Sequence, residues 1–317
     1  MLRSIVTHLL RYAAAVWVAS LVVFLLLRIA PGDPAEIALG VGATPELLAD
    51  KRAQLGTDQP LAVQYFSWIG GMATGDFGVS LTSGENISPL VADRAAVSAI
   101  LVTTAMALAI AVAVPVGTWA AMRRRHADGI AITAASQIGI AIPSFLAAIL
   151  LVTVCAVHLG WLPANGWVPP AADPLQFVRR LIMPTVALAA VQSAIMTRYV
   201  RSAVLEVLSD DFIRTARAKG LSLWQALLTH GLRNAALPVM TVAALQLAAL
   251  ITGAVVVERV FVIPGLGSML LDAVITRDLP TVQTIVMLLV LATLAVNFAV
   301  EIAYTALDPR LRKEPLS

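Results

Sequence analysis

Six long apolar runs organise the chain, at about residues 12–29, 96–121, 130–157, 181–200, 237–257 and 282–305. A helix needs roughly 20 such residues to cross the apolar core of a bilayer. The runs are continuous, without the alternating ten-residue segments of a transmembrane barrel. Pro115 and Gly117 predict a kink in the second run, and Pro143 with Ser144 a break in the third. The pattern therefore predicts an all-α integral membrane protein with six transmembrane helices. Residues 31–95 interrupt it first. There Thr44 is placed to cap a helix that has Pro45 at its first position, and Gly75-Asp-Phe-Gly-Val-Ser80 forms a turn-rich end. This reads as a small ordered cap rather than a linker.

The second large polar interruption, residues 206–240, has helix signals of its own. Ser209 is a candidate N-cap, with Asp210 and Asp211 adding negative charge to the first turn. Phe212 and Ala216, four apart, share a face. Arg217 and Lys219 sit in the last turn and Gly220 supplies the stop. Ser222 with Gln225 fits a capping box for a second short helix, and Leu221 is placed for a hydrophobic staple to Ala226. The expectation is a short helix, a glycine hinge and another short helix.

Charge orients these elements. Residues 31–95 carry eight acids against three bases, which favours the outer face. Arg123-Arg124-Arg125-His126 follows the second run at once and is the strongest inside signal. From Arg198 to Arg233 there are six basic and three acidic residues, again an inside signature. Arg179 and Arg180 vote against placing the intervening 158–180 loop outside, but the two stronger basic loops flank it. Trp161 and Trp167 in that loop suit a membrane interface. The loop from Glu258 to Pro280 is expected to hold a short helix, to about Arg277, with Met269, Leu270, Ala273 and Val274 as its apolar face. Both termini then lie in the cytoplasm. For the first run a cleaved signal peptide is the alternative, but Arg28 interrupts its end and Pro31 follows Ala30 where a cleavage site would fall.

Composition agrees and removes several function classes. The chain is 59% hydrophobic and 13% charged, about half the charged share of a soluble domain. A net charge of +3 is too small to suggest nucleic acid. The single cysteine, Cys155, reads as a packed thiol. Lys51, Lys219 and Lys313 follow Asp50, Ala218 and Arg312, so no phosphate-binding Gly-Lys loop exists. His8, His126, His158 and His230 lack zinc-ligand spacing; His230 reads as a packing or hydrogen-bonding residue. The helix centres are nearly free of charge, and Glu301 lies toward the inner end of its helix, which disfavours an ion-coupled carrier. Gln137, Gln192, Gln246 and Asn297 either join helices or line a solute path. Energy would come from another subunit.

Arg214-Thr215-Ala216, then Gly220 after three residues, resembles the Glu-Ala-Ala loop of ABC-importer permeases. Arg214 takes the place of the namesake glutamate, Thr215 that of the next alanine, and the proline lies further from the glycine. Asp211-Phe-Ile-Arg-Thr-Ala-Arg-Ala-Lys-Gly220, with His230, Arg233-Asn234 and Pro238, resembles the dipeptide/oligopeptide/nickel branch of that family. So do Arg28-Ile-Ala-Pro-Gly-Asp-Pro34, Leu55-Gly, Gln59-Pro-Leu, Gly75–Ser80, Glu258-Arg-Val-Phe, Pro264-Gly-Leu-Gly267, Arg277-Asp-Leu-Pro280 with Gln283, and Leu307-Asp-Pro-Arg310. The resemblance implies the type I importer permease fold: a first helix (1–30), an extracytoplasmic segment (31–95), a transmembrane core (96–305) with a coupling loop (201–236), and a cytoplasmic tail (306–317). It implies a non-catalytic subunit of the bacterial inner membrane that imports di- or oligopeptides. Asp211, Arg214, Thr215, Ala216, Lys219 and Gly220 would meet the ATPase, with Ala216 permitting close approach. No cofactor is expected in this chain; ATP and Mg²⁺ would bind the cytoplasmic ATPase subunits. The other expected partners are a second, similar permease chain, an extracytoplasmic binding protein and membrane lipid. The 261–280 loop would be an outer gate, a binding-protein contact or a plain connector. Alternatives are nickel or metal-chelate import, or an intramembrane enzyme or assembly factor.

Overall fold

The computed structural model describes residues 2–29, 32–40 and 43–307. Among these the chain is helical, with one isolated β-bridge between Val79 and Asn86. Its helices are α1 (Leu2–Ile29), α2 (Pro34–Leu39), α3 (Pro45–Leu55), α4 (Leu61–Thr74), α5 (Ser88–Met122), α6 (Ala127–Ala141), α7 (Ser144–Leu151), α8 (Pro174–Ser209), α9 (Asp211–Ala218), α10 (Leu223–Ala226), α11 (Leu232–Val260), α12 (Leu266–Ile275) and α13 (Leu279–Leu307). Five stretches are long and apolar enough to span a membrane: Leu9–Ile29, Ser88–Met122, Pro174–Ser209, Leu223–Val260 and Leu279–Ile302. A sixth is formed if α6 and α7, bent by 98°, count as one crossing. Ala30 and Pro31, which bear on signal-peptide cleavage, and the expected tail beyond residue 307 fall outside the described residues.

The break in the third run has a local cause. Ile142, just before Pro143, is extended (φ −88°, ψ 117°), as the proline ring requires of its predecessor. α7 then restarts and ends in a π-helical stretch, Val152–His158. Pro115, Pro184 and Pro238 instead lie inside continuous helices. The fourth run begins earlier than its apolar residues suggest. Asp173 accepts from the amides of Leu175 and Gln176, at 3.0 Å each, with Pro174 at the first position. Arg179 and Arg180 therefore belong to α8 and not to a loop. Arg180 donates to the Asn165 carbonyl, which ties the preceding loop to the helix.

The chain divides into two compact units. The first comprises Met1–Ser98 and Pro264–Leu294. In it α4 lies against α1: Ser20 and Tyr65 share a hydrogen bond of 2.7 Å, and Phe24 packs between Tyr65 and Trp68. Asp33 caps α2 through the Ala35 amide and pairs with Arg52 at 2.6 Å. Thr44 caps α3 as expected, through the Leu47 amide at 3.4 Å, and Gly56 closes α3 in the left-handed region. Hydrogen bonding to its own amide and to Thr44 holds the exposed Glu46 carboxyl below its ordinary pKa. Past Gly75 the chain forms a short turn whose ends meet at the Val79–Asn86 bridge. The carboxylate of Asp278 fastens this turn. It accepts from Ser80 Oγ (2.5 Å), the Leu81 amide (3.0 Å), Thr82 Oγ1 (3.4 Å) and Thr281 Oγ1 (2.8 Å), and the residue is 4% exposed. The apolar face of α12 differs from the expected one. Leu266 and Ala273 are buried, Met269 and Leu270 are half-buried, and Val274 is exposed.

The second unit comprises Ala99–Ile263 and Ala295–Ser317. α8 is its axis and packs against α6, α7 and α11. Two glycines allow close helix approach. A Cβ on Gly117 would fall 2.8 Å from the Thr197 carbonyl oxygen, and one on Gly139 would fall 2.9 Å from Ala194 Cβ. Polar pairs add specificity within this packing: Thr104 with Thr185 at 3.3 Å, and the Gln246 amide donating to Gln192 Oε1 at 2.8 Å. Glu258 ends up in α11 and 1% exposed, rather than opening a loop. Cys155 is half-buried in the π-helical stretch.

Candidate functional site

The polar interruption at 206–240 is built as a short helix held by its buried face. α8 extends to Ser209, whose hydroxyl donates to the Glu206 carbonyl at 2.6 Å, so Ser209 finishes one helix instead of capping the next. Asp210 is extended (φ −68°, ψ 148°) and occupies the N-cap of α9 without a side-chain cap bond. α9 ends in a Schellman arrangement. The Gly220 amide reaches the Arg217 carbonyl (2.9 Å), and the Leu221 amide reaches Ala216 (3.3 Å). Gly220 has φ +95°, a conformation that a side chain disfavours. Ser222 and Gln225 then form the expected capping box, with bonds of 3.3 and 2.9 Å.

The second short helix does not stand alone. α10 passes through a π-helical turn, Leu227–Gly231, directly into α11, so Leu223–Val260 is one continuous stretch. A Cβ on Gly231 would lie 2.7 Å from Leu227 Cδ1 and 3.1 Å from Val207 Cγ1. Glycine therefore lets the Leu227, Val207 and Ile213 side chains close over this point, where α8 and the root of α11 meet. His230, expected to pack or hydrogen-bond, is exposed.

Ile213, 1% exposed, anchors α9. With Ala216 it joins an apolar cluster of Val200, Val204 and Val207 from α8, Ala226 and Leu227, and Ala121 of α5. The face pairing Phe212 with Ala216 is corrected: Phe212 is exposed and the buried pair is Ile213 with Ala216. Ala216 thus faces its own chain and cannot be the small residue that lets a partner approach. Asp211, Arg214, Thr215, Lys219 and Gly220 are exposed. Arg214 reaches Asp211 at 3.4 Å, and Thr215 Oγ1 donates to the Asp211 carbonyl at 2.9 Å. After α9, Trp224 of α10 packs against Trp119 of α5, with ring centroids 6.1 Å apart. Trp119 Nε1 donates to Asp128 at 2.9 Å, and Arg123 pairs with that carboxylate at 2.7 Å.

Of the four path candidates, the structure brings together only Gln192, which is buried, and Gln246, which is half-buried. Gln137 is exposed, and Asn297 is half-buried in α13. Sequence reasoning misses Ile213 because its burial depends on α8 and α11. The apolar gap between charged Asp211 and Arg214 is its one local signal.

This arrangement, a short exposed helix rooted in two long apolar ones, has relatives among known proteins. Residues 113–313 match the binding-protein-dependent transport system inner membrane component, and residues 1–102 match the N-terminal part of that membrane component. The chain belongs to the binding-protein-dependent transport permease family. It is a non-catalytic permease subunit of an ABC importer and a multi-pass protein of the bacterial inner membrane. A putative peptide transport system permease protein of Brucella abortus (strain 2308) is 40% identical over 295 residues, which cover 93% of this chain and 94% of the relative. A glutathione transport system permease protein of Salmonella choleraesuis (strain SC-B67) is 39% identical over 313 residues, covering 98% and 99%. Among solved structures, the inward-facing methionine ABC transporter MetNI aligns with a TM-score of 0.59 at 19% identity, over 69% of this permease and 96% of that chain. An amino acid ABC transporter solved with histidines gives 0.52 at 15%, over 69% and 94%. These two likenesses concern the fold.

Proposed function

We propose that this permease imports di- or oligopeptides by alternating access. The observation that carries the substrate class is the near full-length similarity to permeases of peptide and glutathione transport, at 39–40% identity. The solute would arrive on an extracytoplasmic binding protein, and a second, similar permease chain would complete the pathway. Two cytoplasmic ATPases would hold ATP and Mg²⁺.

The coupling contact is the outer face of α9, where Arg214, Thr215, Lys219 and Gly220 are exposed beside Asp211. When the ATPases close on ATP, they displace this face. Ile213 and Ala216 carry the displacement into α8 and the root of α11 because all of them share one packed cluster. Close-packed interiors transmit strain rather than absorb it. The Gln192–Gln246 pair joins those two helices and is the strongest remaining candidate for the solute path.

Uptake by a strain lacking this chain tests the substrate class. Labelled di- and tripeptides should enter only when the chain is restored, while nickel uptake stays unchanged. Nickel uptake that follows the chain, with peptide uptake indifferent to it, would replace the peptide reading.

A further inference from the structure

Between the first membrane span and the turn at Ser80 lies a helix whose outward face stays exposed. α4 runs from Leu61 to Thr74 with no charged residue among its 14. Asp58 and Asp76 stand just outside its two ends. The neighbouring α3 carries Glu46, Asp50, Lys51 and Arg52 in only 11 residues. At a rise of 1.5 Å per residue α4 is about 21 Å long, too short to cross the roughly 30 Å apolar core of a bilayer. An uncharged apolar helix of this length is either a core helix or one that lies in the membrane without crossing it.

Its two faces decide between these. Tyr65 and Trp68, three residues apart, pack against α1. Val63, Phe66 and Gly70, spaced by three and four, fall on the opposite side and are exposed. Phe66 is 70% exposed and Val63 51%. Thr74, at the end of the helix, returns its hydroxyl to the Gly70 and Gly71 carbonyls at 3.1 Å each. The outward face thus offers apolar side chains and no charge, so α4 is not a core helix and water is a poor neighbour for it.

The contacts with α1 set its depth. Both partner residues, Ser20 and Phe24, lie within the apolar span Leu9–Ile29. At the helical rise Phe24 is about 7 Å inward from Ile29 along the axis, and Ser20 about 14 Å. The Tyr65 hydroxyl meets Ser20 Oγ at 2.7 Å, and the Tyr65 and Trp68 rings lie 5.5 and 6.1 Å from that of Phe24. Arg28, one turn outward, reaches back over the Phe24 ring at 5.1 Å, and its charge marks the level of the headgroups. Contacts at two levels of the span, both below Arg28, put the middle of α4 inside the outer leaflet.

We infer that α4 is a lipid-binding interface helix, seated in the outer leaflet with Tyr65 and Trp68 on α1 and with Val63, Phe66 and Gly70 against acyl chains. Its partner is the bilayer itself. Tyrosine and tryptophan suit this depth, since each combines an apolar ring with a polar tip. Residues 61–74 then belong in the membrane, while the charged α3 before them and the turn after them stay in water. The outer segment gains a lateral hold on the bilayer between α1 and α5. None of this depends on which solute the permease carries.

Spin-label accessibility tests it on the full-length permease, assembled with its transport partners in nanodiscs of phosphatidylethanolamine and phosphatidylglycerol. In a Cys155→Ser background, nitroxides are placed through Val63→Cys and Phe66→Cys. Leu26→Cys, on the exposed side of α1, is the lipid reference, and Leu47→Cys, exposed on α3, the water reference. All four positions are exposed, so the labels leave the packing intact. Collision with oxygen, which concentrates in lipid, is compared with collision with a water-soluble nickel chelate. The oxygen-to-nickel ratio at 63 and 66 should match that at 26 and exceed that at 47 several-fold. A ratio at 63 and 66 equal to that at 47 would put the helix in water and overturn the inference. Low collision with both reagents would mean that another protein covers this face, and would overturn it as well.

Discussion

Two parts of this permease are held by opposite means. The turn at Ser80–Thr82 in the first unit is fixed by a single buried carboxylate, Asp278, with four donors around it. The α9 lever in the second unit is fixed by apolar packing around Ile213, with its charges facing outward. A directional polar network sets one geometry and fails when any member is lost. An apolar cluster has no directional bonds, but its close packing moves as a body, which is what the proposed coupling requires of α9 and the helices it touches. On the proposed mechanism the turn is the static part and α9 the moving one.

The largest expected effect tests the static side. Asp278→Ala leaves three hydroxyls and an amide without their acceptor and should cost about 3 kcal/mol or more. Thermal unfolding of the purified permease should show the loss, and limited proteolysis should cut between residues 75 and 88. Next, Ile213→Ala should cost about 2–4 kcal/mol. It should also reduce uptake per ATP hydrolysed, which an assay of the reconstituted importer measures directly. Phe212→Ala, one residue away and exposed, should stay within about 0.5 kcal/mol. Gly220→Ala should cost about 1–2 kcal/mol from the backbone alone, because no atom lies within 4 Å of the added Cβ. At the small end, Arg214→Gln breaks an exposed pair with Asp211 and should change stability by less than about 0.5 kcal/mol. Any larger effect of that variant should appear in ATPase binding. If Asp278→Ala were neutral or Ile213→Ala harmless to coupling, the contrast would lose one of its halves.

The legibility of these parts in sequence follows from the range of the interactions. The capping box at Ser222 and Gln225, the Gly220 stop and the Thr44 cap each depend on neighbours within a few residues, so the residue types disclose them. The break at Pro143 is visible for the same reason. The Asp278 network is not, because Ser80 lies 198 residues away and neither residue looks unusual alone. Ile213 is hidden because the choice between it and Phe212 as the buried residue is made by α8 and the root of α11. At the end of α8 two signals compete. Ser209 before two aspartates reads as a cap, yet Asp210 already provides the extended residue and Ser209 remains helical. Arg179 and Arg180 read as loop charges because the apolar run starts after them, whereas the Asp173-Pro174 cap starts α8 a full two turns earlier.

The central claim is that ATPase motion enters through the outward face of α9 and passes inward through Ile213. Site-directed photocrosslinking in the assembled importer tests it, with Cys155 replaced and single cysteines placed at 213, 214, 215, 216 and 218. Crosslinkers at Arg214, Thr215 and Ala218 should capture the ATPase subunit, and those at Ile213 and Ala216 should not. Capture from the inward positions but not the outward ones, or from none of the five, would contradict the account.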